Sequence, residues 1–123
     1  MSASALELRR RLAEMAKLPR GWDGPHSRPP ETDLLASAGH LGQLVLEVTR
    51  PTPPRLNLGA SADGSVQFNL RGPARRSLEL WLHEPGDRFE YLAEEGEDLA
   101  EGSASFADYP RLAEWLSGRR ASL

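Results

Sequence analysis

Apolar residues recur at two different spacings along the chain, and the change between them falls at a proline cluster, Pro51, Pro53 and Pro54. Before it, Leu8, Leu12 and Met15 stand at i, i+4 and i+7, one stripe of an amphipathic helix. Ser4 and Glu7 have the spacing of a capping box and Pro19 ends the segment, which predicts a first helix over about residues 4–18. A longer stripe follows: Leu34, Ala38, Leu41, Val45 and Val48. It predicts a second helix with Pro29-Pro30 in its first turn and Glu31 and Asp33 near its positive end, stopping before Pro51. Gly39 and Gly42 weaken its middle by about 1 kcal/mol each relative to alanine. They also leave room for another element to come close.

From Arg55 the period becomes two. Leu56 and Leu58 alternate with polar or small residues, Asp63-Gly64 signals a hairpin, and Val66, Phe68 and Leu70 alternate with Gln67 and Asn69. The Arg71–Arg75 loop leads to Leu78, Leu80 and Leu82, interleaved with Glu79, Trp81 and His83. A Glu84-Pro85-Gly86-Asp87 turn precedes Phe89, Tyr91 and Ala93. A fifth strand near residues 99–105 has a weak pattern. Last, Asp108 is placed to cap a helix with Pro110 in its first turn, Phe106 to staple it, Leu112, Trp115 and Leu116 to form its apolar face, and Gly118 to end it. Strands joined by short turns are antiparallel. The expected fold is therefore α+β: two N-terminal helices (1–50), a four- to five-stranded antiparallel meander (55–105) and a C-terminal helix (108–118), in one domain of 123 residues.

Composition narrows the function. Without cysteine there is no disulfide, thiolate zinc site or cysteine nucleophile. No apolar run is long enough to span a bilayer, and Arg9, Arg10 and Arg11 interrupt the N-terminus where a signal peptide is apolar, so a cytoplasmic, bacterial protein is expected. The single lysine, Lys17, against fourteen arginines goes with a high-GC genome. Net charge is −3, unevenly spread: residues 84–101 hold eight carboxylates against Arg88 alone, whereas Arg50, Arg55, Arg71, Arg75 and Arg76 oppose only Asp63 over residues 50–76. Such asymmetry orients a charged partner, although acidic turns are also simply well solvated.

Catalytic machinery is not recognisable. His26, His40 and His83 lie in no nucleophile context, and the acidic stretch 94–101 lacks the spacing of a calcium loop. Gly21-Trp22-Asp23-Gly24 lies between helices with no lysine after it, unlike a phosphate loop. A non-enzymatic reading follows, with no metal and no cofactor. On the third strand Leu78, Leu80 and Leu82 share one face, which turns Trp81, Glu79 and His83 to the other, where Leu92 also points. If the helices cover the leucine face, Trp81, Glu79, His83, Leu92, Glu94 and Glu95 form an interface for a protein, a basic one in the leading reading, or for a second copy of the chain. If instead the Trp22 loop or the last helix folds over that face, the interface is lost. An alternative is a nucleic-acid-associated regulator using Arg71, Arg75 and Arg76. A third is a small ligand pocket or active site beneath the loop of Trp22, Asp23 and His26.

Pro19, Gly21-Trp22-Asp23-Gly24, the proline before the second helix, Asp63-Gly64-Ser65-Val66-Gln67 and Tyr91 together resemble a set of small bacterial proteins. These carry a Trp-Asp-Gly loop after a first helix and a Pro-Asp-Gly-type hairpin leading into a strand. This chain has Ser61-Ala62 rather than proline before Asp63. Some of the set look like partners of toxin-like or defence-related genes, so the resemblance implies an antitoxin or immunity-type role. The loop itself reads as structural, its glycines supplying positive φ and Asp23 a turn, or alternatively as functional.

Overall fold

The computed structural model describes residues 3–48 and 55–123. The proline cluster and Arg50 lie outside the described residues, and the side chain of Ser4, with its capping box, lies outside the described side chains.

Two helices form where the stripes place them: α1 (Ala3–Ala16) and α2 (Thr32–Val48), although α2 opens at Thr32 and leaves Pro29-Pro30 and Glu31 outside, since a proline biases the residue before it away from helical angles. Leu8 and Met15 are buried along α1, and Leu34, Ala38, Leu41 and Val45 along α2, with Leu35 and Leu46 widening the α2 face. The two glycines of α2 have separate roles. A Cβ on Gly42 would stand 2.6 Å from a methyl of Leu8, so the missing side chain is the seat in which α1 crosses α2. A Cβ on Gly39 would meet Leu12 at 3.6 Å, an ordinary contact. Gly39→Ala is therefore expected to raise the unfolding free energy by about 0.5–1 kcal/mol through helix propensity alone. Gly42→Ala loses that gain to the displacement of Leu8 and comes out less stable than Gly39→Ala; urea unfolding of both variants checks the order.

Five strands follow: β1 (Arg55–Ala60), β2 (Val66–Arg71), β3 (Arg76–Leu82), β4 (Arg88–Glu95) and β5 (Asp98–Ser105). All neighbours are antiparallel and the sheet order is the chain order, a simple meander. The register aligns one apolar row after another: Leu58, Phe68, Leu80 and Tyr91 in one, Leu56, Leu70, Leu78 and Ala93 in the next. Leu78, Leu80 and Leu82 are fully buried, while Ser77, Glu79 and Trp81, which alternate with them, are half-buried. The core thus lies on one face, where α1, α2 and the C-terminal helix α3 (Tyr109–Leu116) pack. The N-terminal half of α2 also holds the β3–β4 turn, since the Gly86 N–H donates to the Ser37 hydroxyl at 2.9 Å.

At the last helix the expected cap is displaced. Phe106–Asp108 is a turn of 3-10 helix, and Asp108 itself has helical backbone angles and makes no side-chain cap to α3. Its carboxylate turns back to the hydroxyl of Ser105, 3.3 Å away. A carboxylate three residues after a serine serves the shorter turn first, which a sequence reading of α3 alone misses. Phe106 does pack, its ring centroid 6.2 Å from that of Phe89. Gly118 follows α3 with φ +86°, the left-handed residue common just past a helix end. Among the described residues no helix is long and apolar enough to cross a membrane.

Candidate functional site

Because the side chains of a strand alternate, burying the leucines of β3 commits Glu79 and Trp81 to the opposite face. No described helix packs across that face at Trp81; α1 touches it only at the β1 edge, where the Arg11 guanidinium donates to Asn57 at 3.2 Å, and the Trp22 loop packs against the Asp63 hairpin. The Trp81 indole stacks on the His83 imidazole, ring centroids 6.2 Å apart and planes 11° from parallel. His83 Nε2 in turn lies 3.3 Å from the carboxylate of Glu90, the cross-strand neighbour of Trp81. Glu79 stands across from Leu92, and Leu92 across from Glu101. Together they line a shallow groove of about 590 Å³. A second groove of about 620 Å³ continues over Asn57, Asn69, Arg71, Ser77 and Glu94. Leu99, opposite Glu94, is 66% exposed. The site offers a half-buried aromatic anchor, two leucines and a rim of carboxylates: acceptors and apolar surface suited to holding a partner.

The structure brings Trp81, Glu79, His83, Leu92 and Glu94 onto one face and leaves Glu95 on the other. Glu95 is in phase with Ala93 and Phe89, and its carboxylate bonds the guanidinium of Arg76. Sequence reasoning missed Leu99 and Glu101 because β5 was too weakly patterned to register against β4, and it missed Glu90 although that residue lies on β4. The phase of Glu90 with Leu92 was a usable signal.

Among the described side chains, which exclude Arg50 and Arg55, the basic residues Arg71, Arg75 and Arg76 do not converge as a cluster. Arg71 is exposed and lines the second groove. Arg75 lies over the β4–β5 turn, its guanidinium 3.7 Å from where a Gly96 side chain would begin. Arg76 points inward, its side chain only 11% exposed, donating to the carbonyls of Trp115 (2.7 Å), Arg120 (2.9 Å) and Ala121 (3.2 Å). With the Glu95 carboxylate on its Nε, four of its five N–H donors are occupied within the chain.

The Trp22 loop is a latch. The Trp22 indole N–H donates to the Arg28 carbonyl at 2.9 Å, closing the loop on itself. The Asp23 N–H donates to the Ser27 hydroxyl at 2.8 Å, which donates to the Gly24 carbonyl at 2.7 Å. The Arg28 N–H then donates to the Ala62 carbonyl at 2.7 Å and its guanidinium to the Asp63 carbonyl at 3.0 Å. The Trp-Asp-Gly loop and the Asp-Gly hairpin are thus halves of one contact. The Asp23 and His26 side chains are exposed and lie outside the Trp81 groove.

In that hairpin the Asp63 carboxylate accepts the Ser65 hydroxyl at 2.6 Å and the Ser65 N–H at 3.0 Å. These bonds, the hydroxyl first, hold its pKa below the ordinary carboxylate value. A carboxylate depressed in the folded state contributes stability above about pH 4, its unfolded value, and loses it as pH falls through the lowered folded value. Asp63→Asn keeps the turn but not this dependence. Its stability deficit relative to wild type is expected to be present at pH 7 and to shrink below pH 4, measured by urea unfolding at each pH.

Among the described residues no group of three or more His, Asp and Glu side chains converges to hold a metal ion. Compared with protein-family models, curated proteins and solved structures, the chain gives no match.

Proposed function

We propose that the protein is a non-enzymatic binding module that takes a basic protein partner on the uncovered face of its sheet. The observation that carries this reading is the one-sided burial. All three helices pack on the leucine face, and the other face presents Trp81 between Glu79, Glu90, Glu94 and Glu101. A tryptophan beside apolar neighbours and inside a charged rim has the composition of a binding hot spot. The carboxylates steer a cationic partner and disfavour an acidic one. Neutralisation of a toxin-like protein, as an antitoxin or immunity-type partner in a bacterial cytoplasm, is the form of this activity that the Trp-Asp-Gly resemblance supports.

Trp81→Ala is expected to fold, since the ring lies outside the core, and to weaken the complex by about 2 kcal/mol or more, roughly 30-fold in affinity. Photo-crosslinking from position 79 in the native host, followed by titration of the recovered protein, measures it. An acidic recovered protein, or one whose affinity ignores Trp81→Ala, refutes the reading.

A further inference from the structure

We propose that the partner docks as an extended, basic segment that adds a strand to the outer edge of β5, an inference that rests on the reading above and specifies the partner's form. β5 pairs one-to-one with β4 from Asp98 to Ser105, without a bulge, and no described strand pairs with its other side. Six consecutive residues, Asp98 to Ser103, are exposed. An antiparallel edge strand turns the N–H and C=O of every second residue outward, so eight residues leave about four such donor–acceptor pairs over about 26 Å.

Edges of this kind are normally blunted by proline, lysine, a bulge or a covering element. Among the described residues β5 has none of these; its own protection is negative charge. Asp98 and Glu101 lie on it, with Glu94, Glu95 and Glu97 at the adjoining turn. Charge therefore decides the occupant. A second copy of the chain, edge to edge, brings these carboxylates against their own kind, whereas a cationic strand neutralises them.

Both sides of the added strand find a complementary surface. On the open face Leu99 and Glu101 prolong the rows that run through Glu94 and Leu92. On the other face the strand residues are Ala100 and Gly102, and Tyr91 lies across the glycine: a Cβ there would stand 2.8 Å from the phenol oxygen. The aromatic ring thus reaches toward the edge over a strand too small to block it. A segment with basic residues turned to Glu101 and apolar residues turned to Tyr91, alternating with period two, matches both sides.

Random twelve-residue peptides displayed on phage and selected on the intact protein test this. Selected sequences are expected to alternate Lys or Arg with apolar residues and to contain no proline in the binding stretch. Their synthetic forms should lose at least 10-fold in affinity on backbone N-methylation at every second residue in one register but not in the other. Glu101→Lys should weaken them similarly, and the alternate, outward-facing amides within Leu99–Ser103 should gain protection from hydrogen exchange. Peptides with helical spacing, or indifferent to N-methylation in both registers, overturn the edge proposal; if they still need Trp81, face binding itself survives. Acidic peptides, or no selected peptide from a protein that dimerises through β5, overturn the basic-strand assignment. Alternating basic peptides that need the β5 amides but ignore Trp81→Ala support the edge and remove Trp81 as the anchor.

Discussion

Arg76→Ala is expected to lower the unfolding free energy by about 3 kcal/mol, measured by urea denaturation at pH 7. The guanidinium joins four parts of the molecule. It bonds the Glu95 carboxylate on β4, the Trp115 carbonyl in the last turn of α3, and the Arg120 and Ala121 carbonyls of the tail. It also lies 5.0 Å over the Trp115 ring. Glu95 is partly exposed and rehydrates when its partner goes, which keeps the loss at the low end for a buried pair. Arg76→Lys is expected to recover less than half. An ammonium keeps the charge but cannot spread donors over a carboxylate and three carbonyls. Loss of amide protection confined to α3 and the tail in the lysine variant would identify the contact responsible. A lysine variant as stable as wild type would show that charge alone accounts for the site.

Gly72→Ala is expected to cost about 2–4 kcal/mol for a single methyl group. Gly72 begins the β2–β3 turn, and a Cβ there would stand 2.1 Å from the backbone carbonyl oxygen of Leu116. Unlike the Leu8 methyl beside Gly42, a helix carbonyl cannot rotate away. Turn and helix must separate, and Arg76, whose carbonyl accepts the Gly72 N–H at 3.0 Å, is carried with them. Gly59→Ala is the control, since nothing lies within 4 Å of its would-be Cβ. It should change stability by less than 0.5 kcal/mol or so, as surface substitutions do. Equal losses at the two positions would mean that turn–helix contact is not the cause.

Much of this architecture is legible in the spacing of apolar residues. The stripes of α1 and α2 and the alternation of β2, β3 and β4 reflect single buried faces, and a single buried face writes a clear period. β5 is faint for the opposite reason. Its core-side residues, Ala100, Gly102 and Ala104, are small because Tyr91 occupies the space above Gly102, so little hydrophobicity remains to mark a strand. The open face of Trp81 could be read from the parity of β3, and the same parity also carried the information that was missed. Arg76 stands two residues before Leu78 and therefore turns inward with it, while Arg75 does not. Charge type suggested one basic edge; strand phase separates its members. The contact between the Trp22 loop and the Asp63-Gly64 hairpin joins residues some 35 apart in the chain, which no local pattern encodes.

The meander order also bears on how quickly the molecule assembles. Every strand pairs only with its neighbours in the chain, across connections of two to five residues. Closing such short loops forfeits little chain entropy, so the hairpins have no distant segment to await. The seating of α1 and α2 on the leucine face is then expected to be the late step. A principal refolding phase on the order of milliseconds follows from that topology, with the rate most sensitive to residues of the β2–β3 hairpin and least to those of α1.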